Sequence, residues 1–220
     1  MAIRIHPSLL TADFVNLENE LQKIASADAV HVDVMDNRFV DALTFGPQMV
    51  RRIQEVSPIP LDVHLMVENP DRHAMTYADL GAQSVTFHVE AASKPQRIID
   101  ALHAAGTQAA IALKPNTELE PYLELFHTVD MILVMTVEPG AGGQPFLASM
   151  LPKIERLAEY LSENQLSPRV EVDGGITIDT LPLAYQAGAN TFVAGSSVYG
   201  HGAPSDNIQA LRASMSTKGA

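Results

Sequence analysis

Strand, turn and helix recur eight times along this chain, and that repeat constrains its fold more than any other feature. Short apolar runs rich in β-branched residues fall at 3–8, 31–36, 61–66, 83–89, 107–113, 131–137, 169–173 and 190–194. Their length and bounding turn residues read as strands. Between them lie helical stretches at 16–25, 46–56, 70–80, 94–105, 119–127, 147–164, 178–187 and 206–215. Proline stands in the first turn at Asn69-Pro70-Asp71 and at Pro121, where an N–H would have no helical partner anyway. Gly81, Gly106 and Gly188 mark helix stops. The tail 216–220 is expected to fray. Alternation of this kind implies a parallel sheet. Eight units in 220 residues imply closure into a (β/α)8 TIM barrel of the α/β class, one domain over 1–220. An open doubly wound sheet is the alternative, but no strand–G-x-G-x-x-G–helix unit supports it.

Three of the strands are wrong for a buried sheet. In His31-Val32-Asp33-Val34-Met35-Asp36, alternation puts His31, Asp33 and Met35 on one face. Leu61-Asp62-Val63-His64-Leu65-Met66 repeats the anomaly with Asp62, His64 and Met66, and Val170-Glu171-Val172-Asp173 with Glu171 and Asp173. Polar groups on a buried face are costly without partners. A barrel points every strand's C-terminal end at one face, so His31, Asp33, His64 and Asp173 are predicted to converge there. Two imidazoles and two carboxylates suit one divalent ion: zinc, manganese, cobalt or ferrous iron. Asp62 and Glu171, one step deeper, are candidates to hold the ligand histidines from behind. Met35, Met66 and Met135 read either as core filling or as an apolar wall that keeps water from a reacting carbon.

Glycines gather where a phosphate would need close backbone approach. Glu138-Pro139-Gly140-Ala141-Gly142-Gly143-Gln144-Pro145 follows the sixth strand, Gly174-Gly175 the seventh, and Gly195-Ser196 the eighth, where it opens a short extra helix. The formal net charge of −12 argues against nucleic-acid or anionic-membrane partners, so a bound phosphate would rely on backbone N–H groups. Cysteine is absent, which excludes disulfides and thiolate metal sites. With no apolar run of transmembrane length and no signal-like start, the cytoplasm is the expected compartment. A metal, two carboxylates and a phosphate anchor suit a phosphorylated ketose. A divalent ion on its carbonyl and hydroxyl oxygens would acidify the carbon between them. Asp33 and Asp173, from well-separated strands, would exchange its proton on opposite faces, which inverts the centre.

These motifs resemble the ribulose-phosphate 3-epimerase family across nearly the whole chain. The resemblance rests on Pro7-Ser8 with Ala12-Asp13-Phe14, residues 31–36 and 62–67, Met135-Thr136-Val137 with Pro139-Gly140, Gly142-Gly143-Gln144, residues 171–175 and Val193-Ala194-Gly195-Ser196. It implies a barrel interconverting D-ribulose 5-phosphate and D-xylulose 5-phosphate in the pentose phosphate pathway. It implies His31, Asp33, His64 and Asp173 as ligands of one metal ion, Asp33 as proton acceptor and Asp173 as donor. Ser8 and His64 would touch the substrate, with Gly140, Ala141, Gly142, Gly143, Gly174, Gly175, Gly195 and Ser196 around its phosphate. A homo-oligomer, dimer or hexamer, is implied as well.

The chain departs from the family pattern in places. Ala141 stands where an aromatic residue is usual, Val40-Asp41-Ala42 replaces Val-Pro-Asn, and His6 occupies a position normally small or apolar. His88 lacks the proline that usually follows it and reads as structural; His73, His103, His127 and His201 read as solvated. Ala141 leaves room for a six-carbon substrate such as allulose 6-phosphate. A catalytically silent sugar-phosphate-binding barrel is the non-enzyme alternative. A decarboxylase on the same barrel would need an Asp-x-Lys-x-x-Asp strand end, and 31–36 holds no lysine.

Overall fold

The computed structural model describes residues 3–215. The strands are β1 (Arg4–Pro7), β2 (Val30–Met35), β3 (Leu61–Met66), β4 (Ser84–His88), β5 (Gln108–Leu113), β6 (Met131–Met135), β7 (Arg169–Asp173) and β8 (Thr191–Ala194). Their order in the sheet is β1-β8-β7-β6-β5-β4-β3-β2, and the ladders are parallel throughout. A parallel bridge between Ser8 and His31 brings β1 beside β2, so the sheet is nearly closed as a barrel.

The helices are α1 (Leu17–Lys23), α2 (Pro47–Val56), α3 (Pro70–Ala78), α4 (Pro95–Ala104), α5 (Leu151–Glu163), α6 (Leu181–Gln186), α7 (Ser196–Tyr199) and α8 (Pro204–Ala213). Proline stands in the first turn of α2, α3, α4, α5, α6 and α8, preset to a helical φ where no N–H is required. Between β5 and β6 the helical stretch Glu120–His127 is wound as a 3-10 helix. That tighter winding aligns Leu123 with the buried Phe126, three residues apart. Helix α6 begins three residues later than the sequence predicts. The hydroxyl of Thr180 accepts from Thr177 N–H and donates to the Gly175 carbonyl, which holds 175–180 as a turn. The expected fraying of 216–220 concerns residues outside those described.

Strand alternation divides the interior. Val32, Val34, Val63, Leu65, Val85, Phe87, Ile111, Ile132, Val134, Val172 and Phe192 share one continuous apolar core with Leu21, Ile53, Ile99, Ile154, Leu157 and Leu211 of the helices. The opposite strand faces line the barrel axis, and there the buried polar residues collect: His6, His31, Asp33, Asp62, His64, Thr86, His88 and Glu171. In most such barrels branched apolar side chains fill this space. Register sets His31 beside Asp62 and Asp33 beside His64, while Met135 pairs with Asp173. The polar faces of β2, β3 and β7 therefore meet.

Candidate active site

His31, Asp33, His64 and Asp173 converge at the C-terminal end of the barrel, with ligand atoms all within 4.8 Å of one another. His31 Nε2 and His64 Nδ1 each stand 3.3 Å from Asp33 Oδ1, and 3.9 and 3.7 Å from Asp173 Oδ2. Both nitrogens are buried and lack a hydrogen-bond partner among the described residues. Ligands about 2.0–2.1 Å from a shared ion lie about 3.3–3.4 Å apart in a tetrahedron, so the spacing and the donor set fit a divalent metal.

Each carboxylate is tuned differently. Burial alone would raise Asp33, but the imidazoles of His31 and His64 hold it far below the usual carboxylate range. Its Oδ2 accepts from Ser8 Oγ at 2.6 Å, leaving Oδ1 to the site. Asp173 is pushed the other way, to about 7, by burial and by the Asp33 charge.

A second polar layer lies beneath. Asp62 Oδ2 accepts from His31 Nδ1 at 2.8 Å and lies 3.1 Å from His6 Nδ1, while Asp62 Oδ1 accepts from Ser84 Oγ at 2.6 Å. His6 Nδ1 is also 2.9 Å from Glu171 Oε1. Burial works against a charge on His6, yet Asp62 and Glu171 raise it to about 9. Asp62 thus supports a candidate ligand from behind, as its strand position predicts. Glu171 contacts His6 rather than a ligand histidine.

Above the carboxylates opens a cavity of about 390 Å³, lined by Ser8, Asp33 and Asp173, the loop 137–146, Gly174-Gly175 and Gly195-Ser196. Among the described residues no lysine or arginine lines it. Gly174 and Gly175 have φ of +125° and +65°, and a Cβ on Gly175 would lie 2.2 Å from Phe146 N. Only glycine brings this backbone to the wall without strain. Helix α7 starts at Ser196 behind Gly195, the short extra helix expected after β8. Met35, Met66 and Met135 line the same cavity and are buried. Ser8 reaches the wall, but His64 has no exposed surface and lies beneath the floor.

The profile of the Ribulose-phosphate 3 epimerase family matches residues 4–199. The chain belongs to the ribulose-phosphate 3-epimerase family. It is an isomerase acting on carbohydrates. The ribulose-phosphate 3-epimerase of Mycobacterium leprae is 47% identical over 208 residues, spanning 94% of this chain and 93% of the relative. That of Bacillus subtilis is 42% identical over 217 residues, covering 96% and 99%. Among solved structures, 3-hexulose-6-phosphate synthase from Salmonella typhimurium superposes with a TM-score of 0.69 at 16% identity, covering 97% of this chain and 98% of that one. The last likeness concerns the barrel fold.

Against the family pattern, the residue the sequence undervalues is His88. Its Nε2 lies 3.0 Å from His64 Nε2, and its Nδ1 lies 3.0 Å from Glu90 Oε2. The Phe39 ring packs on it with centroids 4.7 Å apart. The signal was present in the parity of β4, which puts His88 on the same face as Thr86, beside His64 in the register. His73, His103, His127 and His201 are exposed; His103 pairs with Asp130 and His127 with Tyr160 on the surface.

Proposed function

We propose that the chain interconverts D-ribulose 5-phosphate and D-xylulose 5-phosphate by moving the C3 proton between Asp33 and Asp173. The observation that carries this reading is the convergence of two oppositely tuned carboxylates on one cavity. Before an ion binds, Asp33 is kept charged by its imidazoles and so carries no proton, while burial and the Asp33 charge raise Asp173 to about 7, where it can hold one. Taking a proton on one face of C3 and returning one on the other inverts the centre, and the reverse reaction exchanges the roles.

His31, Asp33, His64 and Asp173 would hold one divalent ion, zinc, iron, manganese or cobalt. When bound, that ion supplies Lewis acidity to the ketose oxygens flanking C3. Ser8 fixes the Asp33 carboxyl through its 2.6 Å hydrogen bond. The glycine-lined wall formed by 140–143, 174–175 and 195–196 takes the phosphate on backbone N–H groups, since no described residue of the lining is basic. Met35, Met66 and Met135 keep water from the reacting carbon.

Among the described residues no helix is long and apolar enough to cross a membrane, and we place the enzyme in the cytoplasm on its cysteine-free composition. A homo-oligomer is proposed too. Phe14, Val15, Leu43 and Met49 are exposed apolar side chains on segments joined by the Phe14–Phe45 ring contact. Ala141 on the cavity wall favours a second substrate reading, a six-carbon ketose phosphate.

Solvent hydrogen exchange at C3 of D-ribulose 5-phosphate, with and without chelator and with Asp173→Asn, tests the reading. Metal-dependent exchange with inversion, lowered by about 10²–10⁴-fold in Asp173→Asn, is expected. Exchange without inversion would mean a one-base isomerase, and activity confined to six-carbon ketose phosphates would move the substrate assignment.

A further inference from the structure

His64 meets the candidate metal position through Nδ1, a nitrogen that can bind a metal only if it carries no hydrogen. Within the ligand set Asp33 Oδ1, 3.3 Å away, would favour a hydrogen on that nitrogen until an ion replaces it. The opposite preference comes from outside, along a row of three side chains. Glu90 Oε1 accepts from the Lys114 backbone N–H at 2.7 Å and from the Thr117 hydroxyl, and its Oε2 faces His88 Nδ1 at 3.0 Å. With every neighbour a donor, Glu90 is an acceptor, so His88 Nδ1 bears the hydrogen. His88 Nε2 then offers a lone pair to His64 Nε2 at 3.0 Å, because two N–H groups at that distance would repel. His64 Nε2 therefore bears its hydrogen, and His64 Nδ1 is left bare toward Asp33 and Asp173.

We infer that His88 and Glu90 are positioning residues that fix which nitrogen of His64 faces the site. Neither touches the cavity. The row is itself braced: Lys153 Nζ, from α5, donates to the Lys114 and Thr117 carbonyls of the loop that holds Glu90. Packing alone does not require this order of donors and acceptors.

The inference rests on the metal reading above, and a substitution series separates the two. In Glu90→Gln the amide oxygen stays with Lys114 N–H and Thr117, so the NH₂ turns to His88 Nδ1. His88 must then carry its hydrogen on Nε2, which drives the His64 hydrogen onto Nδ1. Glu90→Ala lets His88 choose. A relay thus predicts that the near-isosteric Gln is worse than Ala, the reverse of what a structural role gives. Zinc affinity, read by competition with a chelating dye, is expected to fall about ten- to a hundredfold in Glu90→Gln and less in Glu90→Ala. His88→Leu should fall in the same range, whereas His88→Gln, whose carbonyl can accept from His64, should stay near wild type. Long-range ¹H–¹⁵N spectra of the metal-free protein add a readout independent of any ion. They should show His64 as the Nε2–H tautomer in wild type and Nδ1–H in Glu90→Gln. Affinities within twofold of one another, Ala worse than Gln, or an Nδ1–H His64 in wild type would overturn the relay. Failure of wild type to bind zinc, with the tautomers as stated, would overturn the metal reading alone.

Discussion

Asp62 accepts a hydrogen bond from His31 at 2.8 Å, and that bond turns the far nitrogen of the ring toward Asp33 Oδ1. Both Asp62 oxygens face donors, Ser84 on one side and two imidazoles on the other. Burial would raise its carboxyl, but those hydrogen bonds hold it well below the usual range. In Asp62→Asn the NH₂ can donate to the Ser84 hydroxyl and the amide oxygen can still accept from His31, but the charge that strengthens that bond and holds the ring is lost. Metal affinity in a chelator competition is expected to drop about tenfold or more. Wild-type affinity would show that His31 is oriented by packing alone.

The layer holding His6, Asp62 and Glu171 raises a different question, because with His31 it forms a second group of metal-ligand type. Distances decide it. The contacts there are 2.8–3.1 Å, hydrogen-bond lengths, against 3.3–3.9 Å in the upper group. Protons hold this layer. Metal analysis of the purified enzyme should give one ion per chain; two would refute the assignment. His6→Ala leaves the buried Glu171 carboxylate without its cation and Asp62 with His31 and Ser84 alone, and urea unfolding should show a loss of about 3–5 kcal/mol. Adding Glu171→Gln removes one of the charges and should recover much of it. A loss under about 1 kcal/mol for His6→Ala would mean that Glu171 is already neutral.

The barrel and the meeting of His31, Asp33, His64 and Asp173 were legible because both follow from period. Alternation with period two assigns faces, and a closed parallel sheet brings strand ends together. His6 was visible only as an oddity. Its partners lie on β3 and β7, and the stagger between strands is not written in any one of them. His88 is buried, as a structural reading expects, but its place between His64 and Glu90 was not visible, because it depends on ring orientation and on a loop after β5 that fixes Glu90. The depth of His64 beneath the cavity floor likewise reflects packing that no spacing encodes.

Gly175 tests the phosphate wall. Its φ of +65° and the 2.2 Å approach to Phe146 N leave no room for a methyl group. Gly175→Ala is expected to lose about 1–3 kcal/mol in thermal unfolding through backbone strain. If the wall binds phosphate, KM should rise severalfold while kcat falls less, since C3 is held elsewhere. A fall in kcat with KM unchanged would detach this turn from phosphate binding.

Asp36 ties the exit of β2 to that of β3. Its Oδ1 accepts from the Arg38 and Phe39 N–H groups at 2.9 Å, and its Oδ2 from Glu68 N–H at 2.8 Å. Partial burial pushes its carboxyl up, but the N–H groups of Glu68, Phe39 and Arg38 outweigh that and lower it. A carboxyl lowered in the folded state stabilises above its unfolded pKa, and that stability is lost as pH falls through the folded value. Asp36→Ala should therefore cost about 1–2 kcal/mol near neutrality, part of it from the lost hydrogen bonds. Urea unfolding from pH 7 down to about pH 2 should show the gap between wild type and variant constant above about pH 5 and narrowing below it. A gap independent of pH would mean that the three N–H groups are satisfied equally well by the protonated carboxyl, and that charge has no part in holding the two loops together.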